Sequence, residues 1–240
     1  IDSPDPDRRS RGWLVTEALS CDSAREAADR LGAPDPGDFN PFNLFLADAE
    51  SAHLVSCGDT GERRDLEPGL HVVPSCYDAL SARLIERAGF GLTFMSGFAV
   101  AAGRAGLPDT GLLSYGEVLD TGRAICDAVD IPVIGDADTG YGNALNVKRT
   151  IRGYAAAGFA CAMIEDQVAP KRCGHTRGKQ VVDRDEAFAR IQAAVDARDE
   201  GADILILART DARATHGLDE AITRSQAFRD IGADLTFVEA

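Results

Sequence analysis

The sequence predicts an α/β protein whose main body is a (β/α)8 TIM-type barrel, incomplete at about six strands and preceded by a segment of α+β character. Three observations predict it. From Gly69 onward, short apolar runs that read as buried strands alternate with amphipathic helical patterns, the grammar of parallel βα units covered on both faces. The first strand is followed by Pro74-Ser75-Cys76-Tyr77-Asp78 rather than a glycine-rich phosphate turn, which disfavours an open dinucleotide-binding sheet. Polar residues also gather after almost every strand, as they do on the C-terminal face of a barrel.

The expected strands lie at 70–73, 92–95, 132–135, 160–164, 204–208 and 235–238. Helical patterns stand between them at 78–88, 114–129, 143–157, 184–197 and 218–231. Capping chemistry supports the helix ends: Ser114 is followed three residues later by Glu117, and Gly158 and Gly232 follow last turns. The alternation stops after the sixth strand, so the expected domain is residues 69–240, two strands short of a closed barrel. Residues 1–68 form a separate expected unit, rich in Asp, Pro, Arg and Gly. Within it one helix is expected at 23–31, capped by Asp22 and stopped by Gly32, with strands at 43–47 and 52–56.

Composition narrows the classes of function. Against 39 Asp and Glu stand 25 Lys and Arg, a formal net charge of −14. So acidic a chain disfavours nucleic acid and anionic membrane as partners, both of which need a positive patch. No apolar run approaches the roughly 18 residues of a membrane span. The 6 cysteines are scattered, without CxxC pairs, which points to a reducing, cytoplasmic compartment.

Three constellations carry chemistry. In Gly135-Asp136-Ala137-Asp138-Thr139-Gly140-Tyr141-Gly142-Asn143 two carboxylates stand two apart at a strand end, where the strand period points them the same way. Such hard oxygen ligands suit Mg²⁺; the competing reading makes the acids caps of the next helix, with Asn143 as its start. In Lys171-Arg172-Cys173-Gly174-His175 cationic groups surround one thiol, a setting that favours proton delivery at working pH. The competing reading is a solvated basic loop with an incidental cysteine. The third is a ring of charge: Asp109, Glu165, Arg209 and Glu239, where Arg209 could grip a carboxylate or belong to a structural ion pair. Cys126 and Cys161 read as core residues, and neither His71 nor His216 is given a role.

These residues, with Tyr77-Asp78-Ala79-Leu80-Ser81-Ala82-Arg83-Leu84, Ser96-Gly97, Gly106-Leu107-Pro108-Asp109, Glu165-Asp166-Gln167 and Ala208-Arg209-Thr210-Asp211-Ala212, resemble the isocitrate lyase/phosphoenolpyruvate mutase superfamily. The resemblance implies a (β/α)8 barrel, Mg²⁺ (or Mn²⁺) and 2-oxo or 2-hydroxy carboxylate substrates. It places the ion on Asp136, supported by Asp109, Asp138 and Glu165, largely through water. It assigns substrate carboxylates to Ser96, Gly97, Gly174, His175 and Arg209, with Glu239 at the pocket edge, and makes Lys171, Cys173, His175 and Arg209 the catalytic group. Cys173 matches the carbon–carbon lyase branch, resembling 2-methylisocitrate lyases; the alternatives are a phosphonate-type phosphoryl mutase, a hydrolase of oxaloacetate, or an inactive chimeric fragment. Phe94 stands where lyases of this kind often carry a Tyr that could act as base. A homo-oligomer, tetrameric in full-length relatives, is also implied. Residues 8–71 more weakly resemble the NRDE (transport-and-Golgi-organisation) family, through Ser10-Arg11-Gly12-Trp13-Leu14-Val15, Asn40-Pro41-Phe42-Asn43-Leu44-Phe45 and Leu66-Glu67-Pro68-Gly69-Leu70-His71. On that reading two unrelated fragments join near 68–74.

Overall fold

A computed structural model describes residues 21–32, 42–47, 52–57, 61–66, 73–174 and 176–239. The chain divides into two compact units, Ile1–Val72 and Val73–Ala240. In the first, helix α1 (Ala24–Leu31) precedes strands β1 (Phe42–Ala47), β2 (Ala52–Cys57) and β3 (Gly61–Leu66). The strands form an antiparallel meander in the order β1-β2-β3, with Leu44 opposite Val55 and Val55 opposite Arg63. The cap of α1 is Ser23 rather than Asp22: the Ser23 hydroxyl accepts from Glu26 N–H at 3.1 Å, while Glu26 reaches back to Asp22 N–H. Gly32 ends the helix as expected, at φ 57°. Residues 10–15, 40–41 and 67–71 of the NRDE-like motifs lie outside the described residues.

The second unit is a six-stranded parallel sheet: β4 (Ser75–Cys76), β5 (Thr93–Met95), β6 (Val133–Asp136), β7 (Cys161–Glu165), β8 (Leu205–Thr210) and β9 (Leu235–Val238). Each strand pairs with the one before it in sequence, with no reversal of order. A doubly wound sheet reverses its order at a switch point, whereas a barrel does not. The helices are α2 (Ala79–Arg87), α3 (Gly97–Val100, continued by a π turn at Ala101–Ala105), α4 (Tyr115–Cys126), α5 (Ala144–Ala156), α6 (Arg184–Asp199), α7 (Ala212–His216) and α8 (Leu218–Ile231). The expected strand at 70–73 is displaced to Ser75–Cys76, with 70–72 outside the described residues. The α4 helix is shorter than its pattern, because Asp127 caps it before the apolar pattern ends. Its N-terminus carries the expected box: Ser114 N–H donates to Glu117 Oε2 at 2.8 Å and the Ser114 hydroxyl accepts from Glu117 N–H.

Between sheet and helices lies one apolar core that includes Met95, Ile125, Ile151, Ile164, Ile206 and Phe228. Tyr154 and Phe159 stack with ring centroids 4.6 Å apart beneath β6. The Tyr154 hydroxyl donates to the Asp136 carbonyl at 2.8 Å, so the core directly steadies the strand end that bears the acids. Cys161 is buried in this unit and Cys126 packs against the core, as their patterns suggest. Among the described residues no helix is long and apolar enough to cross a membrane.

Candidate active site at the strand ends

The register sets the site. Met95 pairs with Gly135, Asp136 with Met163, Glu165 with Arg209 and Thr210 with Val238, so the chemistry-bearing residues emerge at one edge of the sheet. Asp136 is the last residue of β6. Its Oδ2 accepts from Gly97 N–H at 3.1 Å and its Oδ1 from Asp138 N–H at 3.0 Å, leaving lone pairs on both oxygens. A Cβ on Gly97 would lie 2.7 Å from Asp136 Oδ2, so only glycine allows this approach. Ser96 caps α3 through its hydroxyl, which accepts from Ala99 N–H.

Asp138 joins Asp136 for a reason other than the strand period. The strand has ended, and Asp138 takes a left-handed conformation at φ 49°. What gathers the acids is Lys171, whose Nζ lies 2.6 Å from Asp109 Oδ1 and 2.9 Å from Asp138 Oδ1, with its side chain 5% exposed. The acids do not cap the next helix: Asn143 does, accepting from Leu145 and Asn146 N–H groups.

The second cluster surrounds Arg209. Its Nε and one terminal nitrogen donate to the two carboxylate oxygens of Asp211 at 3.0 and 3.1 Å. The same terminal nitrogen lies 3.0 Å from Glu239 Oε2, and Nε lies 3.4 Å from Glu165 Oε2. The bidentate edge of Arg209 therefore belongs to Asp211. The loop with Cys173 reaches this cluster through Gly174, where an added Cβ would lie 2.5 Å from the Arg209 guanidinium and 3.0 Å from Glu239. Lys179, on the return limb of that loop, pairs with Asp211 at 2.9 Å. Gly174, Lys179, His216 and Glu239 help line an open cavity of about 810 Å³ beside it. Cys173 is partly exposed, and His175 lies outside the described residues.

Electrostatics reflect crowding of like charge under low solvation. Burial, followed by the Asp136 charge, pushes the Asp138 carboxyl up to about 6. Burial pushes Glu165 well above the usual carboxylate range, although Arg209 opposes it, and Glu165 Oε1 has no hydrogen-bond partner. For Lys171 burial acts downward, but Asp136, Asp138, Glu165 and Asp109 outweigh it and hold the ammonium form. A buried acid cluster with an orphaned oxygen is a donor set suited to a hard divalent cation. Among the described residues no three His, Cys, Asp or Glu side chains converge on one point. An ion here would rest on few carboxylates and several waters, the habit of Mg²⁺.

Residue types place Asp211 among the polar groups after the strands and Lys179 beside the cationic loop, but they single out neither Gln167 nor Tyr154. Asp211 and Gln167 sat inside recognised motifs, whereas Tyr154 reads as core and acts only through its hydroxyl.

A family model described as phosphoenolpyruvate phosphomutase matches residues 64–240. The 2-methylisocitrate lyase of Salmonella typhimurium is 48% identical over 169 residues, 70% of this chain and 57% of that one. The crystal structure of 2,3-dimethylmalate lyase, a PEP mutase/isocitrate lyase superfamily member, is similar with a TM-score of 0.68 at 45% identity, covering 70% of this chain and 56% of that one. A phosphonopyruvate hydrolase solved with oxalate and Mg²⁺ gives a TM-score of 0.64 at 36% identity, covering 71% and 58%. The chain spans roughly half to two thirds of the length of the curated relatives it matches. With sequential parallel strands, acids at their ends and a cysteine loop against Arg209, the chain belongs to the phosphoenolpyruvate mutase/isocitrate lyase superfamily.

Proposed function

We propose that this protein is a Mg²⁺-dependent carbon–carbon lyase that cleaves a 2-hydroxy di- or tricarboxylate, of the 2-methylisocitrate or 2,3-dimethylmalate kind, to an α-keto acid and a second carboxylate. The observation that carries this reading is the seat of the Cys173 loop, tied by Lys171 to Asp109 and Asp138 and laid by Gly174 against Arg209 and Glu239.

Asp136 is the proposed ligand, with Asp109, Asp138 and Glu165 supporting the ion through water. When bound, a divalent ion supplies Lewis-acid polarisation of the substrate's C2 oxygen and carboxylate. Arg209, whose bidentate edge is held by Asp211, offers its remaining N–H groups to a substrate carboxylate. The backbone at Gly174 lies against the Arg209 guanidinium and can contribute an N–H donor beside it, whereas the Gly97 N–H is taken by Asp136. As the C2–C3 bond breaks, C2 becomes a carbonyl and the bonding pair passes to C3, where its carboxylate spreads the charge. Fixed cations at Lys171 and Arg209 stabilise that developing charge. The Cys173 thiol gives its proton to C3. The C2 hydroxyl proton leaves to a group other than Phe94, whose ring accepts none.

A Cys173→Ser variant is expected to lose turnover by about a hundredfold or more, the range of a lost general acid, while still binding oxalate in the presence of Mg²⁺. Unchanged turnover of 2-methylisocitrate and 2,3-dimethylmalate would remove the role. The likeness to a phosphonopyruvate hydrolase favours a second reading, phosphonate chemistry at the same site, and turnover of phosphonopyruvate in place of both hydroxy acids selects it. Oxaloacetate in the same panel tests the hydrolase alternative.

A further inference from the structure

Between β7 and α6 the chain runs out, turns at the cysteine and comes back, and its two limbs pair. Gln167 and Val181 form a single antiparallel bridge, Val168 N–H donates to the Gln180 carbonyl at 2.9 Å, and Val182 N–H donates to the Asp166 carbonyl at 2.9 Å. The side chain of Gln167 adds a second closure higher up. Its Nε2 donates to the Arg172 carbonyl at 2.9 Å, and its Oε1 accepts from Arg172 N–H at 3.0 Å. A primary amide facing both backbone groups of one residue reproduces a rung of sheet pairing where no strand is present. Gln167 is 1% exposed while Arg172 stands at the surface, so the amide is shielded from water on its own side of both bonds. From below, the buried guanidinium of Arg190 donates to the carbonyls of Gln167 at 2.7 Å and Glu165 at 3.3 Å, fixing the base of the limb to α6.

Arg172 is the residue immediately before Cys173. Lys171, one residue further back, is held by Asp109 and Asp138, but a long lysine side chain leaves its own backbone free to rotate. The Gln167 amide fixes the Arg172 peptide groups leading to the thiol, while Thr176 holds the Cys173 carbonyl from the far side through its hydroxyl at 2.8 Å and its N–H at 2.9 Å. We infer that Gln167 is a positioning residue for Cys173, acting through the Arg172 backbone and touching neither substrate nor the thiol. The inference rests on the reading that Cys173 delivers a proton in the lyase reaction. Glutamine is specifically suited, because the role requires one donor and one acceptor at this reach. Glutamate keeps the length and the acceptor but sets an oxygen against the Arg172 carbonyl. Asparagine keeps both groups but falls one methylene short.

The test compares Gln167→Glu and Gln167→Asn with the parent in two measurements on the Mg²⁺-loaded protein. The first is amide hydrogen exchange, resolved by peptide, over 171–174 and over β7 and β8. The second is kcat and KM for 2-methylisocitrate and 2,3-dimethylmalate. Exchange at 171–174 is expected to rise about fivefold or more, the factor matching one net hydrogen bond, with β7 and β8 unchanged. Turnover is expected to fall about tenfold or more while KM stays within about twofold, the signature of a group needed in the transition state alone. Should the glutamate variant fail to fold, the asparagine variant carries the same two expectations. Exchange unchanged at 171–174 overturns the inference; so does faster exchange with undiminished kcat, or a rise shared by β7 and β8. Failure of the reading that Cys173 delivers the proton is distinguished by Cys173→Ser, which would then retain turnover whatever the exchange at 171–174 shows; failure of the lyase reading appears as a parent that turns over neither hydroxy acid.

Discussion

At the scale of single residues, the site depends on backbone being allowed where side chains would normally stand. Gly174 is the sharpest instance, since a methyl there meets the Arg209 guanidinium at 2.5 Å and Glu239 at 3.0 Å. In Gly174→Ala the loop must withdraw or Arg209 must turn from Asp211. Displacements of about an ångström at a reacting centre cost up to roughly a hundredfold in rate. We expect kcat/KM to fall by at least about tenfold while the melting temperature stays within a few degrees, because Gly174 lies in a loop outside the apolar core; equal loss of both would contradict this. The acids were legible because carboxylates after buried strands are conspicuous. Lys171 is legible as a candidate, but its pairing is not: it meets Asp109 and Asp138 across 62 and 33 residues of sequence, and its neighbours in the chain advertise a thiol instead. The pairing of Asp211 was hidden for a related reason, since nothing local says that the Arg209 fork is already taken.

At the scale of elements, long apolar and helical periodicities were legible and polar or very short elements were not. Five of the parallel strands fall within two residues of their patterns; β5 to β8 are largely buried, and β9 carries the same apolar pattern although Thr236 and Phe237 are exposed. The third strand of the meander, Gly61-Glu62-Arg63-Arg64-Asp65-Leu66, carries four charges and gives no apolar signal; pairing with β2 makes it a strand. Helices α3 and α7, of 4 and 5 residues, are too short for a period to register. Packing among elements adds an acid-labile joint. Glu220 in the first turn of α8 pairs with Arg184 at the start of α6 and with Arg224, which reaches back to Asp166 at 3.0 Å. Hydrogen bonds from Arg184 and then Arg224 hold the Glu220 carboxyl down to about 2, against its ordinary 4.5. A folded-state value below the unfolded one gives stability that is complete above about pH 4.5 and lost as pH falls toward 2. Urea unfolding of Glu220→Gln should therefore match the parent's midpoint most closely at pH 2 and fall furthest below it near pH 6; a deficit that does not change with pH would refute the assignment.

At the scale of the whole molecule, the acid cluster leaves a net negative site inside a chain of net charge −14, a setting that draws divalent cations inward. Binding to the folded state alone raises its stability by about 2.7 kcal/mol at a hundredfold excess over Kd. Millimolar Mg²⁺ should thus raise the melting temperature of this protein by several degrees, and Asp136→Asn should abolish most of that rise. A melting curve indifferent to Mg²⁺ in the parent would count against the cation site. The unreversed strand order has a further consequence, in time rather than space. Each parallel strand docks beside the one translated just before it, so the sheet can grow in the order the ribosome delivers it. Asp109 and Asp138 are synthesised before Lys171, and Arg209 before Glu239, the last of its partners in the chain. The acids thus spend an interval of synthesis without the lysine that later pairs with them.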